Sequence, residues 1–191
     1  VFLMKINRPL FWNKISLISI LLYPFSLITL LINITKKISV KKNFTIKSIC
    51  VGNLYVGGTG KTPLSIKINN ILKKKYKTVF IKKKYSNQID EQNILRSHGD
   101  LICLKNRDKA LKIATNRRYN VAILDDGLQE KNLNYDISIA CFNSSDGIGN
   151  SFLIPSGPLR EDISEIKNYD AVFLNGEKDN RKLLKYLKKI N

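Results

Sequence analysis

Negative charge is scarce in this chain. Only 15 Asp and Glu stand against 33 Lys and Arg, a formal net charge of +18 over 191 residues. So basic a composition invites a nucleic-acid reading. The positives, however, are nearly all lysines spread through every polar segment, and no aromatic-interleaved basic strand or recognition helix accompanies them. Nucleic acid is therefore set aside, and an anionic membrane surface is the expected counterpart of the charge. Cysteine is sparse as well. Cys50, Cys103 and Cys141 each lie in an apolar, strand-like run with no C-x-x-C spacing. Buried free thiols in a reducing compartment are expected, rather than a disulfide or metal role. The only histidine, His98, falls in the turn-like string Ser97-His98-Gly99-Asp100, where an exposed or turn position is expected rather than a catalytic one. There is no internal repeat. No small-residue cleavage site follows the apolar N-terminal stretch, which leaves out a cleaved signal peptide.

What is present is organised around Val51-Gly52-Asn53-Leu54-Tyr55-Val56-Gly57-Gly58-Thr59-Gly60-Lys61-Thr62-Pro63. The run 45–51 before it is β-branched and apolar, as in a buried strand, and 64–72 after it carries apolar residues at helical spacing. Strand, glycine-rich turn, Gly-Lys-Thr and helix form the context of a phosphate-binding loop. Glycines let successive N–H groups converge on a phosphate, and the helix N-terminus adds partial positive charge. Tyr55 to Thr62 is read as the nucleotide-binding segment: Tyr55, Val56, Gly57, Gly58, Thr59, Gly60, Lys61 and Thr62. Lys61 is suited to the β- and γ-phosphates of ATP, and the Thr62 hydroxyl to Mg²⁺. One departure stands out: the usual pattern opens with Gly six residues before the lysine, and here that residue is Tyr55. The alternative is a glycine-rich turn that holds no ligand.

Upstream, 15–35 has no charged residue and is flanked by Lys14 and by Lys36-Lys37. That is about the length of a membrane span. Pro24 interrupts it, and Ser16, Ser19, Ser26 and Thr29 dilute it. Three readings stand: a kinked span, a broken or interfacial helix pair in one leaflet, and a plain buried helix. Phe11, Trp12 and Tyr23 suit an interfacial belt, and the flanking lysines suit anionic headgroups.

Downstream, 78–81 and 101–104 read as strands, 82–93 as a polar exposed loop, and 108–118 as a helix. The stretch 121–126 is a buried strand ending in Asp125-Asp126. A carboxylate at the carboxyl end of a central strand meets a phosphate loop and can hold Mg²⁺ directly or through water; the alternative is an ordinary Asp-Asp-Gly turn. Strands follow at 136–142 and 171–176, and a Lys-rich helix at 179–190. Two prolines flanking Gly157 fix the backbone before Arg160, which is either an anion contact or a structural arginine. Alternation of strands and helices predicts an α/β fold, P-loop NTPase-like, with a mostly parallel sheet, helices on both faces and a membrane-associated helical segment in front.

The strings around 51–63, Leu124-Asp125-Asp126-Gly127-Leu128-Gln129, Leu153 to Glu161 with Pro155-Ser156-Gly157-Pro158-Leu159-Arg160, and Asp170 to Gly176 closely resemble the tetraacyldisaccharide 4′-kinase (lipid A 4′-kinase) family over nearly the whole chain. The resemblance implies an enzyme at the cytoplasmic face of the inner membrane. It would transfer the γ-phosphoryl of ATP to the 4′-hydroxyl of a lipid A disaccharide precursor. No protein partner is implied. Residues 1–43 would form the membrane-anchoring segment and 44–191 the P-loop kinase domain. The family's general base is an Asp in a Gly-Asp-Glu-Pro string. Gly99-Asp100 matches its first half, which implies Asp100 as the catalytic base beside Lys61. Asp125 and Asp126 match the Mg²⁺-associated pair. Arg160 and Gln129 match positions near the substrate. The chain also departs from the family: Glu130 stands where a His is usual, and Lys83-Lys84-Tyr85 stands for Arg-Gly-Tyr. The family's smaller C-terminal lobe, with a His that assists the catalytic Asp, has no counterpart before Asn191. Two other readings remain: a membrane-associated P-loop ATPase switch, and a nucleotide-binding remnant without transfer.

Overall fold

The computed structural model describes residues 8–85, 88–145, 147–176, 183–185 and 187. Six strands form one all-parallel sheet: β1 (Lys47–Gly52), β2 (Thr78–Lys83), β3 (Leu101–Leu104), β4 (Val121–Asp125), β5 (Ile137–Asn143) and β6 (Ala171–Asn175), in the order β3-β2-β4-β1-β5-β6. After β1 the chain moves to one side of the sheet, and after β4 to the other. β1 and β4 therefore lie side by side at the switch point, with Val51 in register with Asp125, where α/β sheets open a crevice for ligands.

Helices α2 (Lys61–Leu72), α3 (Ile89–His98) and α4 (Arg107–Asn116) cover both faces. Alternate residues along each strand separate two cores. Phe80, Val121 and Ile123 pack with Leu95 of α3 and with Ile66 and Leu72 of α2. Cys50, Val79, Ile81, Ala122 and Leu124 pack with Ala110, Leu111 and Ala114 of α4. The expected architecture is the observed one, and the three cysteines are free thiols on strands β1, β3 and β5.

Two expectations fail. The polar run 82–93 is not one exposed loop: β2 continues to Lys83, and α3 begins at Ile89. Lys82 is accommodated because its head group pairs with buried Asp125. The acidic Asp90 and Glu91 suit the first turn of a helix. The N-terminal segment is neither a broken helix pair nor a buried helix. It is one helix, α1 (Leu17–Lys37), that continues through Pro24. Most of its large apolar side chains are exposed, Leu17, Leu21 and Leu31 among them.

The part of α1 that touches the protein is its polar stripe. Ser26 Oγ donates to the Leu153 carbonyl at 2.8 Å, Thr29 Oγ1 to Ile154 O at 2.6 Å and Asn33 Nδ2 to Arg160 O at 2.8 Å. Ser156 donates to the Ser19 carbonyl, and Lys37 pairs with Glu165 at 2.5 Å. Residues 19, 26, 29, 33 and 37 recur at helical spacing on one side. Trp12 and Tyr23 also serve this contact: the Trp12 indole donates to Pro155 O at 2.9 Å, and the Tyr23 ring meets Phe152 at 5.3 Å. Of the C-terminal helix expected over 179–190, residues 183–185 and 187 are helical, with Leu183 buried; the rest lies outside the described residues, as do Val1 and Met4.

Candidate functional site

The loop leaves β1 at Gly52 and returns into α2 at Lys61. Gly60 caps α2 with a left-handed backbone (φ 82°), and a Cβ there would lie 2.7 Å from Asn175 Nδ2. Only glycine fits both demands. Thr59 is buried, and its hydroxyl has no hydrogen-bond partner among the described residues. A buried polar atom of this kind calls for a ligand. The loop glycines, the first turn of α2 and this hydroxyl fit an anionic phosphate group.

The first residues of the segment do something else. Tyr55 is wholly buried against Phe142, and its hydroxyl accepts the Asn143 N–H at 2.6 Å. The Val56 N–H donates to Pro158 O at 2.9 Å. Both tie the loop to the protein.

The strand-end carboxylates flank the loop. Asp125 is fully buried. Its Oδ2 accepts from Thr62 Oγ1 at 3.2 Å and from Lys82 Nζ at 2.6 Å. Asp126, in a left-handed turn (φ 60°), lies 3.8 Å from Lys61 Nζ and accepts from Arg160 Nη1 at 3.1 Å. The same Arg160 nitrogen reaches Asn53 Oδ1 and Gln129 Oε1, both at 3.3 Å. Burial alone would raise the Asp126 carboxyl, but the cations of Lys61, Arg160 and Arg107 outweigh it and hold it below the usual carboxylate range. Lys61, Thr62, Asp125, Asp126, Gln129 and Arg160 thus converge in one place.

Asp100 does not join them. Every strand runs the same way, so the residue that enters β3 sits at the amino edge of the sheet, opposite the loop. Phe80 pairs with Leu101 and Lys82 with Asp125, which puts Asp100 about 10 Å back along the strand axis and two strands across from Asp125. Its carboxylate accepts the Tyr119 hydroxyl at 2.7 Å. The implied catalytic base is corrected accordingly. The Asp-Glu pair beside the site is Asp90-Glu91, in the first turn of α3, where Glu91 meets Lys82 at 2.6 Å.

Two further residues escape sequence reading. Lys82 is hidden because the polar run masks the end of β2. Arg107, buried, donates to Asp126 O at 2.6 Å and to Glu130 Oε1 at 2.5 Å. Glu130 thus has a cationic partner where a histidine is usual. No signal in the chain marks Arg107 apart from its place at the start of α4.

Loop, lysine, hydroxyl and strand-end carboxylates at the switch point define a phosphate-loop domain. A family model for tetraacyldisaccharide-1-P 4′-kinase matches residues 18–189, and the chain belongs to that family. The tetraacyldisaccharide 4′-kinase of Pelagibacter ubique (strain HTCC1062) is 48% identical over 192 residues, spanning 98% of this chain and 61% of its own length. That of Rickettsia bellii (strain OSU 85-389) is 33% identical over 193 residues, spanning 91% and 60%. Among solved structures, LpxK from Aquifex aeolicus in complex with ATP matches with a TM-score of 0.72 and 26% identity, over 83% of this chain and 59% of that one. The chain spans about three-fifths of the length of the curated relatives it matches.

Proposed function

We propose that this chain carries the ATP site and part of the lipid site of a kinase that phosphorylates the 4′-hydroxyl of a tetraacyldisaccharide 1-phosphate. The observation that carries the reading is the cleft between α1 and the strand-end residues Asp126 and Arg160. A cavity of about 570 Å³ there is lined by Ile32 and Ile154 together with Asp126, Arg160, Arg107 and Lys83. A cationic, mostly polar lining with two isoleucines suits the phosphosugar part of an amphipathic substrate.

Phosphoryl transfer depends on positioning and charge neutralisation. The loop N–H groups and Lys61 bind and orient the nucleotide phosphates. Thr62 and Asp125, hard oxygen donors 3.2 Å apart, together with Asp126, suit Mg²⁺. Held by these residues, Mg²⁺ would supply charge neutralisation for the nucleotide phosphates. Arg160 holds Asp126 in place and offers positive charge to the substrate side. Asp90 is the residue we assign to accept the proton of the sugar hydroxyl.

The polar stripe of α1 supports a helix lying in the cytoplasmic leaflet of the inner membrane rather than crossing it. Its apolar 18-residue window has a mean hydropathy of 2.2, so by length and composition the helix is able to cross a membrane. Yet the helix is bonded to the domain from Ser19 to Lys37, so crossing would drag polar backbone partners into hydrocarbon. Exposed apolar sides and the net positive charge favour an anionic leaflet.

The test is transfer of labelled γ-phosphate from ATP to the disaccharide 1-phosphate in micelles with Mg²⁺. Transfer that disappears in Lys61→Ala is expected; transfer indifferent to that substitution overturns the site.

A further inference from the structure

Lys82 is the one lysine of β2 whose side chain is almost wholly enclosed, at 2% exposure, and it contacts two carboxylates. Its Nζ is 2.6 Å from Asp125 Oδ2 and 2.6 Å from Glu91 Oε2. The sheet explains the first contact: Lys82 and Asp125 are register partners on adjacent parallel strands, so their side chains share a face. The second contact joins a strand to a helix. Asp125 is fully buried and bonded to Thr62 and Ser65 of α2, whereas Glu91 is half exposed in the first turn of α3. One ammonium therefore bridges the end of the phosphate loop and the start of the helix that carries Asp90.

The first turn of α3 has few other ties. Its N-cap, Gln88, makes no side-chain capping bond. Gln92 Nε2 donates to the Tyr85 carbonyl at 3.0 Å, and Leu95, one turn later, is the buried apolar anchor. A buried ammonium cannot leave both carboxylates without a large desolvation cost, so it ties them in one arrangement.

We propose that Lys82 is a positioning residue that couples occupancy of the phosphate loop to the placement of the α3 N-terminus through Asp125 and Glu91. The proposal rests on the nucleotide reading above. Ligand at Thr62 and Asp125 orders the oxygen that Lys82 grips, and Lys82 passes that order to Glu91 and so to the turn holding Asp90. It is a charge bridge and involves no covalent or redox step.

The test uses the full chain and Mg-ATP as the probe. Hydrogen exchange of the 88–95 segment is followed with and without Mg-ATP, alongside ATP affinity. Wild type is expected to exchange at least about fivefold more slowly when ligand is bound, the lower end of typical coupling between two sites. Glu91→Gln removes the exposed end of the bridge and leaves no buried charge unpaired. It is expected to keep ATP affinity, lose the ligand-dependent slowing, and lower kcat without raising KM for ATP. Lys82→Met, measured if it folds, is expected to add nothing to the coupling loss of Glu91→Gln. Ligand-dependent slowing that survives in Glu91→Gln overturns the coupling and leaves the nucleotide site standing. Failure of wild type to bind ATP overturns both.

Discussion

At the scale of single residues, Tyr55 shows how a loop can lose a usual glycine and keep its shape. The tyrosine fills space under the turn and its hydroxyl accepts the Asn143 N–H, while Gly57, Gly58 and Gly60 keep the rest of the loop glycine-rich. The two aspartates named for the base now make opposite predictions. In the transfer assay, Asp90→Asn should lower kcat by about 10² to 10⁴, the usual size of a general-base contribution. Asp100→Asn should leave transfer near the wild-type rate, since its carboxylate accepts the Tyr119 hydroxyl at the far edge of the sheet. The thiols supply a second check. Burial pushes Cys50 and Cys141 up to about 12, whereas Cys103 is only partly buried. Iodoacetamide at pH 8 should therefore label Cys103 in the native protein and all three cysteines in urea, because thiolate and access are both required. That Lys61, Thr62, Asp125, Asp126 and Arg160 lie together was legible in the sequence because loop and strand-end chemistry leave local strings. The remote place of Asp100 was not legible, because two Asp-containing strings, 89–91 and 99–100, compete and strand direction is what separates them.

At the scale of elements, α1 inverts the ordinary surface helix. Its hydroxyls and amide face protein, and its leucines and isoleucines face outward. In sequence the serines and threonine look like dilution of an apolar run. Their common stripe appears only when their spacing is set against a partner surface, and that partner lies more than a hundred residues away. The strands were legible for the opposite reason: apolar β-branched runs between turns carry their own signal. Ser26 is the most informative probe. Its hydroxyl donates to Leu153 O and accepts from Ser156 N, so Ser26→Val should cost about 1–3 kcal/mol. That should appear as a Tm lowered by about 2–4 °C for each kcal/mol in a chain of this size. A double substitution on the outer side, Leu21→Asp with Phe25→Asp, should leave Tm nearly unchanged. It should lower sedimentation with anionic phospholipid vesicles several-fold, since only exposed apolar area is lost.

At the scale of the whole molecule, charge and acid stability follow from many small arrangements. Asp126 is held low by Lys61, Arg160 and Arg107 against the effect of burial. Asp136 is held low by Lys47 and Ser48, again against burial, and Asp170 by Ser138. Carboxyls depressed in the folded state add stability above their unfolded values near pH 4, and that stability is lost as pH falls through the folded values. Unfolding free energy measured by urea titration should therefore be flat from pH 7 to about 5 and fall below about pH 4. With a net charge of +18, vesicle binding should weaken as salt rises and the Debye length shrinks below about 8 Å. The segment from Leu153 to Arg160 has a consequence at this scale. It bonds α1 through Leu153, Ile154, Ser156 and Arg160, and it bonds the phosphate loop through Pro158 to Val56 and through Arg160 N to Leu54 O at 2.7 Å. Anchor and loop are thus two sides of one splint. Under the proposal that α1 lies in an anionic leaflet, the depth at which it settles would set the height of the loop above the headgroups, so the splint would act as a gauge that presents a lipid headgroup to the nucleotide at one fixed level.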